Sequence, residues 1–232
     1  QTTIEFPSKI YMDVDPGICG SLVTLYSPVA TDNYYLEVTV TQTAVPVAGE
    51  IFPVGTTTVT FTATDAAGNK ASCSFDVTVN DTEDPTFGTV SDINVNTDAD
   101  SCGAVVTFSA PTATDNCDGT VVILNEGSLS SGSEFPVGTT SVTYTATDAA
   151  GNTSTVSFDV IVTDNQDPTI ACPIAVTQTT EVGESFGIVN FENATATDNC
   201  DVSVEQTSGL VSGSEFPIGV STVEFTATDA SG

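Results

Sequence analysis

The chain has no histidine and no tryptophan in 232 residues, and its only basic side chains are Lys9 and Lys70, so arginine is absent too. Without histidine there is no imidazole to act as general base for a serine or cysteine nucleophile, and without arginine there is no planar fork to clamp a phosphate. No Gly-rich phosphate loop, EF-hand spacing or Cys/His zinc cluster stands in their place. Paired carboxylates remain as a route to glycoside cleavage, but the acidic positions recur along the chain, whereas an active site is built once. The sequence reads as that of a non-enzyme. Also missing are an apolar run of the roughly 18 residues needed to cross a bilayer, a 3.6-residue apolar stripe, and a basic segment leading into an apolar one at the start. Direct membrane insertion is therefore not expected, and Gln1 fits either a terminus left by signal cleavage or the edge of a longer chain. Thirty-one acidic residues give a formal net charge of −29 at pH 7. Such a charge repels nucleic acid and anionic membrane surfaces and favours basic partners or cations.

What the sequence has is repetition. IFPVGTTTVTFTATDAAGN at 51–69 returns as EFPVGTTSVTYTATDAAGN at 134–152 and as EFPIGVSTVEFTATDASG at 215–232. Phe52-Pro53-Val54-Gly55 and Phe135-Pro136-Val137-Gly138 lie 83 positions apart, and no gap is needed to register the first two copies. The third copy keeps the offset through Cys200, then loses two residues, and stops at Gly232 before the last strand of the pattern. The expected organisation is three repeats, 1–81, 82–164 and 165–232, the third incomplete, within a longer protein.

Each repeat reads as all-β. Val59, Phe61 and Ala63 alternate with threonines, the period of a strand buried on one face. Cys73, Phe75, Val77 and Val79 repeat the alternation after an Asp-Ala-Ala-Gly-Asn hairpin in which Gly68 is free to take positive φ. Short strands with frequent turn signals over about 83 residues predict tandem immunoglobulin-like β-sandwiches in a linear rod. Each Phe-Pro is expected to fix a turn and plug a core. Tyr34 and Tyr35 read as a half-buried strand edge or a small contact patch.

The motifs DPTIACP at 167–173, SCGAVV at 101–106, ATDNC at 113–117 and 196–200, FPVG, and TYTATDAAGN followed by a VSFDV strand resemble the hyalin repeat (HYR) domain. The Thr-rich, Cys-containing version resembles arrays in large secreted adhesins of gliding Bacteroidetes-type bacteria. The resemblance implies extracellular adhesion or scaffolding, without catalytic residues: a structural stalk or filament segment of a secreted bacterial cell-surface adhesin, serving attachment or gliding motility. The alternative is a calcium-dependent carbohydrate- or protein-binding module. Neighbouring repeats are the first partners expected, then surface polysaccharide or other cell-surface proteins.

Six cysteines in an acidic, polar chain favour an oxidising, external compartment. The hyalin-like pattern offers four cysteine slots per repeat, and Cys19 and Cys102 fill the start of strand B while Cys117 and Cys200 fill the BC loop. Pairing within a repeat, Cys102 with Cys117, leaves Cys19 and Cys200 alone and asks a disulfide to span a strand of about eight residues at about 3.3 Å each. A staggered scheme joins Cys19 to Cys117 and Cys102 to Cys200, foot of one repeat to head of the next, which would stiffen the array. Free thiols are the third option. Cys73 is expected to face Phe6 as a buried thiol, and Cys172 to lack a partner before Gly232. The joints also gather acid: Asp81, Glu83 and Asp84 could approach Asp115 and Asp148, and Asp164 and Asp167 could approach Asp198 and Asp229. Calcium takes six to eight oxygens at about 2.3–2.6 Å, so these sets are candidate Ca2+ sites, though no cofactor is required. Against this, Asp65, Asp148 and Asp229 sit where an Asx turn would use them. Asn80, Asn152 and Asn193 match the N-glycan acceptor pattern.

Overall fold

The computed structural model describes residues 3–5, 9–34, 37–43, 46–117, 121–125, 127 and 129–232. Phe6 and Tyr35 lie outside the described residues. All regular structure among them is strand, and no helix is long and apolar enough to cross a membrane.

In the first copy the longest strands are the two arms of a hairpin, Gly55–Asp65 and Lys70–Asn80. Alternation of apolar and hydroxyl residues produces them: Val59, Phe61 and Ala63 are buried on one face, and the threonines between them look outward. The outward face is tied by hydroxyl pairs, Thr60 to Ser74 at 2.9 Å and Thr62 to Ser72 at 3.0 Å, directly opposite each other in the register. Gly68, at φ 86°, makes the turn. This hairpin is flanked by Val38–Gln42, antiparallel to Gly55–Asp65, and by Ile10–Asp13, parallel to Lys70–Asn80. Facing the four-stranded sheet is a short pair, Gly20–Leu22 with Ile51–Pro53. Phe52 projects from that pair into a cluster with Val14, Val23, Val59, Phe61, Val77 and Val79, and is fully buried.

The second copy repeats the plan: Ile93–Asn96, Thr153–Thr163, Gly138–Thr147 and Val122–Asn125 form the four-stranded sheet, and Gly103–Val106 pairs with Ser133–Pro136. Phe135 is the fully buried plug, with Phe108 edge-on to it at 6.2 Å. The short pair approaches closely because Gly103 carries no side chain: a Cβ there would lie 2.7 Å from the Phe135 carbonyl oxygen. Gly55 and Gly138, both at φ 105°, let the chain turn from the plug strand into the long strand.

In the third copy Phe186–Val189 pairs with Ser214–Pro217 and Val202–Ser208 with Glu224–Asp229. Where the first two copies carry Lys70–Asn80 and Thr153–Thr163, this copy has an open groove of about 830 Å³ lined by Cys172, Ile174, Val176, Phe191, Phe216 and Phe225. Val220 and Ile174 beside it are 99% and 89% exposed.

Tyr34 is 84% exposed in a bend outside any strand, so the half-buried strand edge expected for it is not found. By its internal contacts the chain forms two compact units: Gln1–Thr89 with Pro111–Leu124 and Tyr144–Val156, and Val90–Ala110 with Asn125–Thr143 and Ser157–Gly232. This division does not follow the sequence repeats. Each unit encloses one joint, with the foot of one copy and the head of the next.

Candidate functional site

Both joints are built by the same three residues, Asp-Asn-Cys, at 115–117 and 198–200. The aspartate folds the loop on itself: Asp115 Oδ2 accepts from the Cys117 N–H at 2.8 Å, and Asp198 Oδ2 from the Cys200 N–H at 3.1 Å, each an Asx turn. The asparagine reaches back to the preceding copy, Asn116 Nδ2 donating to the Ile18 carbonyl at 3.1 Å and Asn199 Nδ2 to the Ser101 carbonyl at 2.9 Å. The cysteine then bonds the residue that follows that carbonyl. Cys19 is joined to Cys117 and Cys102 to Cys200, each across 98 positions, with Cα atoms 4.6 and 4.8 Å apart, within the range a disulfide tolerates. Cys117 also packs against the core cluster of the first copy, so this crosslink is anchored in apolar surroundings. Sequence reasoning had singled out the cysteines and overlooked the asparagines, whose signal was their fixed place one residue before each loop cysteine.

Cys73 and Cys172 are free. The Cys73 thiol is half-buried and directed at the Phe61 carbonyl, 3.9 Å away, and burial pushes its pKa up. A raised pKa keeps it in the unreactive thiol form. Cys172 is exposed at the groove of the third copy.

The acidic side chains divide between two tasks. Asp65 and Asp148 organise hairpins. Asp65 accepts from the Asn69 side chain at 2.8 Å and from the backbone N–H groups of Asn69 and Ala67, and these bonds, the Asn69 side chain foremost, hold its pKa below the ordinary value against the opposing effect of burial. At Asp148 burial is the largest influence and pushes upward, yet bonds from Asn152 and from the backbone of Asn152, Gly151 and Ala150 bring the pKa down overall. Asn152 Nδ2 additionally donates to the Asp81 carbonyl at 3.3 Å, so the side chain that matched a glycan acceptor is engaged in the first joint. Asp229 Oδ1 accepts from the N–H groups of Ser231 and Gly232 in the same manner.

The joints gather fewer acids than the sequence led us to expect. At the first, Asp81 and Asp115 meet beside the Cys117 sulfur, and at the second Asp164, Asp198 and Asp229 meet, the candidate ligand atoms in each group lying within 4.8 Å of one another. Asp148, Glu83, Asp84 and Asp167 stand outside both groups. Asp148 is held by its own hairpin. Both oxygens of Glu83 accept from the Gly17 N–H, at 2.9 and 3.0 Å, and Asp84 and Asp167 are exposed.

The HYR domain model matches this chain three times, over residues 2–79, 80–162 and 163–232. The chain is 37% identical to hyalin of Lytechinus variegatus over 230 residues, covering 96% of this chain and 43% of that protein. It is 38% identical to hyalin of Strongylocentrotus purpuratus over 223 residues, 93% of this chain and 18% of that protein. A serine-rich adhesin for platelets from Staphylococcus aureus is 30% identical over 161 residues, 58% of this chain and 7% of the adhesin. The chain thus spans less than half the length of the curated relatives it matches. With the repeated motifs, the β-sandwich plan and three tandem matches together, the chain belongs to the HYR domain family.

Proposed function

We propose that the chain is a spacer segment of a large secreted cell-surface adhesin, in which repeats bounded at 1–81, 82–164 and 165–232 are locked head to foot and the function lies in reach and presentation. The observation that carries this reading is the joint itself. An Asx turn, a side-chain hydrogen bond and a disulfide converge within three residues, and the arrangement recurs with the same 98-residue span. A protein that needed freely hinged domains would have no use for a covalent lock at each hinge. Disulfides of this kind persist in oxidising compartments, which supports an extracellular or surface location. Formal charge of −29 keeps the segment soluble and apart from nucleic acid and anionic lipid. We further propose that the parent protein serves surface attachment, gliding included, through ligand-binding parts that this segment holds away from the cell, with neighbouring repeats as its standing partners and no enzymatic activity of its own.

Non-reducing peptide mapping of the secreted protein tests the lock and should recover peptides joined through Cys19–Cys117 and Cys102–Cys200. A glycan array tests the spacer role. No sugar class should bind, and reproducible micromolar binding to surface polysaccharide would replace the spacer reading with that of a carbohydrate-binding module.

A further inference from the structure

We propose that the covalent lock is confined to the two joints inside this chain, and that the joints on its outer flanks, at the head of the first copy and the foot of the third, are hinges. The head position of the first copy is Tyr34, where the second and third carry Cys117 and Cys200. The foot position of the third copy is Ser185, where the first and second carry Cys19 and Cys102. Loss of a cysteine would mean little if the loop around it had changed shape, but neither loop has. At the head, the Tyr34 N–H donates to Asp32 Oδ1 at 2.9 Å, the same Asx turn that Asp115 makes with Cys117 and Asp198 with Cys200. At the foot, the Glu184 N–H donates to the Glu181 carbonyl at 3.1 Å, as Ile18 does to Asp15 at 3.0 Å and Ser101 to Asp98 at 3.1 Å. The residue preceding each donor is left-handed in all three turns, Gly17 at φ 71°, Asp100 at 61° and Gly183 at 94°. Both outer surfaces therefore keep the backbone of a joint and lack its sulfur.

The inference rests on the reading of this chain as one segment of a longer array, and it says how that array is divided. What a joint retains without its sulfur is polar. Asn33 stands where Asn116 and Asn199 reach the carbonyls of Ile18 and Ser101 in the inner joints, so an outer joint keeps the means for the same side-chain bond. Water competes for such a bond, which makes its net contribution modest, and domains that meet over a small polar surface move against each other by default. A disulfide removes that freedom, because it holds the two loops with Cα atoms 4.6 and 4.8 Å apart for as long as it stays oxidised. Three repeats thus form one covalent block with a pivot at either end.

Giving the first joint the residues of the outer positions tests the proposal on the whole chain. In Cys19→Ser/Cys117→Tyr, amide exchange followed by NMR is compared with that of the oxidised wild type at two places. One is Gly17, whose N–H donates to the two Glu83 carboxylate oxygens at 2.9 and 3.0 Å between the foot of the first copy and the linker; the other is the long strand Gly55–Asp65. Gly17 should exchange at least about tenfold faster in the variant, with the strand unchanged. A smaller acceleration at Gly17 would mean that hydrogen bonds alone hold a joint, so that the outer joints are as stiff as the inner ones, and would overturn the proposal. Should the strand exchange faster as well, the variant has lost its fold, and the wild type under mild reductant replaces it, since the sulfurs are then freed with no side chain altered; the same tenfold threshold at Gly17 decides. The glycan array judges the spacer reading separately, so stiff outer joints would refute the hinges and leave that reading in place.

Discussion

Force applied between the ends of the oxidised chain has a short path. From the N-terminus it runs to Cys19, crosses to Cys117, returns to Cys102, crosses to Cys200 and leaves toward Gly232. The bridges interleave, so residues 19–102 and 117–200 hang as slack loops, and only about 66 of the 232 residues bear load. At roughly 3.5 Å per residue the fully extended oxidised chain should measure about 23 nm, against about 80 nm after reduction. Pulling single molecules by both ends, with and without reductant, reads this directly. Reduction should release about 57 nm of hidden length at roughly the same spacing per residue. Changing Cys200 to alanine opens one bridge and should lengthen the load-bearing path to about 130 residues, or about 45 nm. In bulk, each closed loop of about 100 residues should stabilise the fold by up to about 4.7 kcal/mol on the chain-entropy account. Cys102→Ala, Cys200→Ala and the double variant should then cost the same in urea unfolding, since each removes one and the same bond. An oxidised chain extending to within a few nanometres of the reduced length would refute the staggered lock. So would additive costs in the three variants.

Three further outcomes follow from the same geometry. Phe135→Ala, which empties the plug of the second copy, should cost about 3–5 kcal/mol in chemical denaturation, whereas the exposed Val105 should be replaceable by threonine within about 0.5 kcal/mol. The folded-state pKa of Asp148 is depressed, so above the ordinary value of 3.8 the unfolded chain holds no more charge on this group but the folded chain holds it more favourably. That contribution is complete above the unfolded value and lost as pH falls through the folded one. Wild type should therefore exceed Asp148→Asn in stability at pH 7, with the gap closing below pH 3.8; a gap that is constant down to pH 2 contradicts the assigned hydrogen bonds. Finally, appending the sequence of residues 152–163 after Gly232 should fill the groove of the third copy and protect Cys172, measured as a loss of thiol labelling relative to the chain as it stands.

Strand positions were legible in the chain because alternation is a local signal. Val59, Phe61 and Ala63 are buried, as the period of two requires, and Phe52 and Phe135 are the plugs that their recurrence marked. The acidic sites were less legible. Asp81, Asp115 and Asp148 occupy places equivalent to Asp164, Asp198 and Asp229, yet only the second set comes together as three carboxylates. In both complete copies an asparagine four residues on holds the hairpin aspartate, Asn69 on Asp65 and Asn152 on Asp148, and in the third copy that position lies past Gly232. Asn152 also bonds the Asp81 carbonyl, a choice of partner that spacing does not express. Tyr34 shows the converse case, since an aromatic pair suggested partial burial and the bend leaves the ring in solvent.

The sequence by itself determined the repeat length, the all-β character, the lack of histidine and arginine side chains, and the shortage of positive charge, because composition and periodicity are properties of the chain before it folds. It left open which sulfurs meet, which carboxylates lose their water and which asparagine holds which neighbour. Those outcomes depend on residues about 98 positions apart arriving within a few ångströms of one another, and hydrogen bonds and disulfides act only over such distances. Tertiary structure alone could decide them.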